Sequence, residues 1–188
     1  MLVSAVLVLA GCGVPMQSAP VPIEPGTIPS QLQGSGRTTT TEPSTTPGRL
    51  TVQVNFVRKD KLVSLHREAP AATPPGRLST VIQALADGPT ETEQADGVTT
   101  ALPAELSLTV AEVHGSRVVL DLSGDTEGRS ATENVLAVGQ IVLSVTALPT
   151  VDEVTFSRDG EPVEALLADG ALTTDPLTAA DYESLQAR

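Results

Sequence analysis

Aromatic side chains are nearly missing from this chain: Phe56, Phe156 and Tyr182 account for 2 % of its 188 residues, and tryptophan is absent. Without rings to stack on, a platform for nucleobases or sugars is excluded, and a core has to be built from Val, Leu, Ile and Ala. Positive charge is scarce too. Eleven basic residues face twenty-three acidic ones, a formal net charge of -12 that repels phosphate backbones and leaves no nucleic-acid partner. The two histidines, His66 and His114, fall in different predicted hairpins, so they read as surface residues and not as a metal cluster. No Gly-x-Ser-x-Gly elbow, Ser-x-x-Lys pair or glycine-rich phosphate loop occurs. The chain is therefore read as a non-enzyme, with no catalytic, cofactor-binding or metal residue assigned and no cofactor expected.

Cysteine occurs once, which rules out an intramolecular disulfide and makes its position informative. Cys12 closes Leu9-Ala10-Gly11-Cys12 after a short apolar stretch, the pattern of a bacterial lipoprotein signal. Small Ala10 and Gly11 let an extended backbone enter a peptidase, and the Cys12 thiol is the nucleophile that accepts a diacylglyceryl group. Cleavage between Gly11 and Cys12 then leaves a lipidated N-terminus. Each buried acyl methylene contributes about 0.8 kcal/mol, and two or more chains anchor stably where one does not. Residues 1–11 are thus read as a signal peptide, far short of the roughly 20 residues a spanning helix needs. No Lys or Arg precedes the apolar stretch, so the true start is expected upstream. This reading places the rest of the chain outside the cell membrane, held by acyl chains such as palmitate.

Residues 12–48 carry the lipidated Cys and a Pro/Ser/Thr-rich stretch with no period of 2 or 3.6, the composition of a disordered linker. As a flexible coil it spans roughly 33 Å root-mean-square. Periodicity begins within residues 49–188. Leu50, Val52, Val54 and Phe56 alternate with polar residues, and a turn at Lys59-Asp60 leads into Leu62 to Glu68, a predicted hairpin. Leu78, Val81, Ile82 and Leu85 recur at helical spacing until Gly88-Pro89 stops them. Leu106 to Val110 and Val118 to Leu122 predict a second antiparallel pair across His114-Gly115-Ser116. Ser130 and Glu133 form a capping box for a second helix with a stripe of Val135, Val138, Ile141, Val142 and Val145. Val154 to Phe156, a turn at Asp159-Gly160 and Val163 to Leu166 predict a third hairpin, with Pro162 suited to an edge. Thr178 and Asp181, with Leu177 and Tyr182 as a hydrophobic staple, open a short final helix.

Three polar features need a reading. Glu91, Glu93 and Asp96 lack the register of a calcium loop and are expected in a solvated loop. Asp121 lies between Leu120 and Leu122, where alternation turns it to solvent. Gln140 interrupts the second helix, and its amide is expected to hold a neighbouring strand edge or loop.

The order of several short blocks resembles the GerMN (sporulation and spore germination) domain found in actinobacterial lipoproteins. The blocks are Gly88-Pro89-Thr90, Gly97 through Pro103, Val118 through Ser123, Gln140-Ile141-Val142, and Pro149 through Val154 followed by Phe156 and Asp159-Gly160. The resemblance implies an α+β fold related to ring-building motifs, an antiparallel sheet with two main helices packed on one face. It also implies an envelope assembly module whose partner is an unidentified envelope protein or a second copy of itself. The alternative is a lipoprotein that binds a small molecule or lipid in an apolar cavity between sheet and helices.

Overall fold

The computed structural model describes residues 50–70, 73–124 and 128–187. Gly11, Cys12, the expected signal peptide and the expected linker lie outside the described residues.

Strand β1 (Leu50–Arg58) turns Val52, Val54 and Phe56 into the core and pairs along its whole length with β2 (Lys61–Ala69), antiparallel, Val54 opposite Leu65. The connecting Lys59 and Asp60 both take positive φ, 52° and 60°, which matches a two-residue primed turn to the twist of the strands. Helix α1 (Pro74–Asp87) starts where Thr73 Oγ1 accepts the Gly76 N–H, with the two prolines in its first turn, where no N–H partner is lost. It buries Leu78, Val81, Ala84 and Leu85 and stops at Gly88, whose φ of 74° lets its N–H reach back to the Ala84 carbonyl.

The next element departs from expectation. Glu91–Ala95 is a one-turn helix, α2, and not a solvated loop. Thr90 caps it, and Glu93 returns its carboxylate to the Thr90 N–H at 2.8 Å, so a local box folds a segment that buries nothing.

A four-stranded sheet follows in the order β3-β4-β5-β6, made of β3 (Ser107–His114), β4 (Arg117–Ser123), β5 (Glu153–Arg158) and β6 (Glu161–Pro162). The α+β class holds, but the sheet is mixed. Its β4–β5 pair is parallel because α3 (Ala131–Val145) crosses between the two strands and returns the chain to the same end. The third hairpin is also shorter than expected. Only Glu161 and Pro162 pair with β5, at the sheet edge as the proline demands. Ala165–Leu166 instead forms β7, paired with β8 (Leu172–Thr173) in a small separate sheet.

Helix α3 is more deeply set than a helix on one face of a sheet. Every residue from Gly139 to Val145 is buried, against β1, β2, β5, β7, α1 and a C-terminal 3-10 helix (Ala179–Leu185). Asp181 fixes the start of that last helix by accepting from the Thr178 N–H and hydroxyl at 2.7 and 2.9 Å, and Leu177 and Tyr182 are both buried beneath it. Gly139 permits the close approach: a Cβ there would lie 2.9 to 3.1 Å from Leu185, Leu62 and Tyr182.

Candidate functional site

A run of polar side chains crosses the interior and ties its elements together, save that the buried Asn55 Nδ2 has no hydrogen-bond partner among the described residues. The Gln140 amide accepts the Ala101 N–H at 2.7 Å and donates to Thr100 Oγ1 at 3.0 Å, so it holds the loop after α2, as the sequence suggests. One turn later Ser144 takes the Asn55 N–H at 2.8 Å and returns its own hydroxyl to the Gln140 carbonyl. Asp121 is half-buried and not turned freely to solvent. It accepts from Ser157 Oγ at 2.7 Å and from the Gly160 N–H at 3.3 Å, fastening β4 to β5 and to the turn beyond.

The acidic cluster is likewise engaged. Glu93 receives a two-pronged contact from Arg67 at 2.8 and 2.7 Å, and Arg67 lies over the Phe56 ring, 5.2 Å from its centre. The Arg67 N–H groups, helped by Thr90, hold the Glu93 carboxyl below the usual carboxylate range against the opposing effect of burial. Glu133 is also lowered, by the Ser130 N–H and hydroxyl at the start of α3. Burial raises the Tyr182 phenol, whose hydroxyl donates to the Leu166 carbonyl. His66 and His114 are exposed and stand in separate hairpins. Among the described residues no three His, Cys, Asp or Glu side chains gather as a metal site, and no helix is long and apolar enough to cross a membrane.

Two surface clefts flank α1. The wider, about 860 Å³, runs along its outer side between Arg67, Pro70, Pro89 and Thr90. Its polar side chains are committed elsewhere: Ser79 and Thr80 donate to Pro75 and Gly76 carbonyls, Gln83 to Asp87, and Arg67 to Glu93. The narrower cleft, about 320 Å³, opens between the first turn of α1 and β3, and is lined chiefly by Pro74, Pro75, Leu78, Val110, Val113 and Val151. No charged side chain lines it.

A β-bulge makes this second cleft. The register of β3 on β4 slips between Val110 and Glu112, so Val110 opposes Leu120 and Val113 opposes Val118. Leu120 and Val118 both face the core, and the extra residue brings Val110 and Val113 to that same side, where strict alternation would place them on opposite faces. Leu108 is covered there, yet Val110 and Val113 remain 38 % and 56 % exposed. Beside them the outer edge of β3 receives no backbone hydrogen bond among the described residues. The spacing of three between Val110 and Val113 inside a strand is the sequence signal for the bulge.

The site thus combines an uncovered apolar cleft with an open strand edge, and the polar side chains lining the wider cleft make bonds within the fold. The family model described as Germane, sporulation and spore germination, matches residues 37–164, and the chain belongs to that family. Its fold is similar to the tandem GerMN domains of the sporulation protein GerM from Bacillus subtilis, at 17 % identity and a TM-score of 0.55, covering 70 % of this chain and 47 % of that one. It is similar also to the first GerMN domain of the same protein alone, at 17 % identity and a TM-score of 0.54, covering 70 % and 98 %. The chain thus spans about half the length of the tandem structure. No curated protein matches it.

Proposed function

We propose that this chain is an extracytoplasmic lipoprotein, held at the cell membrane by acyl chains on Cys12, whose Germane domain serves as a non-enzymatic interaction or assembly module of the envelope. The observation that carries the reading is the α1–β3 cleft, where two valines on the core side of β3 stay uncovered beside an unpaired edge. Apolar surface of this kind gains free energy only when something covers it. Two experiments test the two halves. Cys12→Ser should move the protein from membrane to soluble fractions with an unchanged melting curve; a variant that stays membrane-bound sinks the anchor. A photo-crosslinker at Ser79, on the rim of the cleft, should trap a reproducible envelope protein or a second copy of the chain in cells. Recovery of neither counts against the module.

A second reading draws on a cleft of about 300 Å³ between α3 and the sheet, lined by Ile141, Phe156, Val163 and Leu172 among others. Its volume lies at the small end of the ligand-site range, and Arg158 and Glu164 also line it, so a fatty acid would set its tail on the apolar residues and its carboxylate near Arg158. Saturable displacement of a fluorescent fatty acid, lost in Phe156→Ala, would favour it over the first.

A further inference from the structure

We propose that two copies of this chain pair edge to edge through β3, antiparallel about a twofold axis at Val113; this rests on the interaction reading above and names its partner. The edge is available: β3 is the terminal strand of its sheet, and every residue from Thr109 to His114 is exposed. Polar pairing then selects the register. On the face away from the core Glu112 and His114 stand two residues apart, with His114 Nε2 2.6 Å from a Glu112 carboxylate oxygen. In an isologous contact residue i meets j while j meets i. With the axis at Val113, the Glu112 of each copy falls opposite the His114 of the other, so each carboxylate can share a ring nitrogen across the seam as it does within its own strand. An axis at Glu112 would set carboxylate against carboxylate, which is destabilising for residues directly opposed. Arg117, the cross-strand neighbour of His114 on β4, does not compete for Glu112, because Glu153 of β5 already holds it at 2.8 Å.

The same axis solves the problem on the other face. Val113, the more exposed of the two cleft valines, meets its own counterpart, and the two α1–β3 clefts join across the axis into one apolar strip. The bulge ends regular pairing just before Glu112, and Gly115 begins the turn just after His114, so few backbone hydrogen bonds can form. Such a short contact is weak in dilute solution. It becomes effective where tethering raises the local concentration of the edges.

The test uses the full chain carrying Cys12→Ser, which leaves no other thiol. Directly opposed residues of an antiparallel pair have Cα atoms about 4.5–5.5 Å apart, within reach of a disulfide. Val113→Cys should therefore oxidise to a covalent dimer at least tenfold faster than Val110→Cys. His114→Glu should weaken self-association in sedimentation equilibrium at least fivefold, and adding Glu112→His to the same chain should restore it, a rescue that a merely disturbed surface would not show. Equal oxidation at the two positions, no rescue, or a monomer at millimolar concentration each overturns the pairing. A monomer that still crosslinks an envelope protein from Ser79 leaves the interaction reading standing; loss of both results removes both.

Discussion

Helix α3 and strand β3, with only β4 between them in the chain, are opposites in environment. From Gly139 to Val145 the helix has no exposed residue, and even its polar members, Gln140 and Ser144, are buried with partners. Along β3 only Leu108 is buried, and two valines stand in the open. A small domain with few aromatics needs one element that collects apolar area from all sides, and α3 is that element. Once it is enclosed, the strand farthest along the sheet can leave surface uncovered without unfolding the rest. Stability and recognition are thereby assigned to different elements.

One substitution made in both places exposes the difference. Val142→Asp would put a carboxylate at a position with no accessible surface inside the hydrophobic core. An uncompensated buried charge costs several kcal/mol, about 5 here, comparable with the whole stability of an ordinary domain. The expected outcome is an unfolded chain by circular dichroism, and a cooperative melt near the wild-type midpoint would refute the central role of α3.

An intermediate case lies between these extremes, where Arg67 ties α2 to β2 through Glu93, with both side chains half-buried. Arg67→Ala should lower stability by about 2 kcal/mol, from the lost two-pronged contact and the packing on Phe56. The sign of the pH effect follows from the Glu93 carboxyl, which Arg67 lowers in the folded state. The linked stability is complete above the ordinary carboxylate range and is lost as pH falls through the lowered folded value. The gap between wild type and variant should hold near neutrality and narrow in acid. A gap of constant size down to strong acid would show that the ion pair contributes nothing.

Much of this was legible from local chemistry. The box at Ser130 and Glu133, the stop at Gly88, the turn at Asp159-Gly160 and the tie made by Gln140 each depend on a few adjacent side chains, and each stands where the sequence puts it. Most of what escaped depends on relations between distant segments. Parallel and antiparallel neighbours show the same alternation, so β4–β5 could be assigned only from the crossover of α3. The burial of α3 on every side comes from the 3-10 helix closing over Gly139, which no stripe analysis contains. The fold of α2 is a matter of capping in a segment with no apolar face, and the cleft arises from one inserted residue, Ala111, whose effect is to reverse the side on which Val113 emerges.

The smallest expected effect on stability is the most informative about function. Val113→Asp places the same carboxylate as Val142→Asp on a side chain 56 % exposed, at the end of an edge strand, where water still solvates it. The cost to folding should stay below about 1 kcal/mol, in the range of surface substitutions that forfeit some strand propensity. Its cost to association should be large, because a charge in the mouth of the α1–β3 cleft loses its hydration as soon as another apolar surface closes over it. Melting curves should nearly superimpose while crosslinks from Ser79 disappear. Should the crosslinks persist undiminished, Val113 lies outside the interface, and the bulge that exposes it has some other purpose.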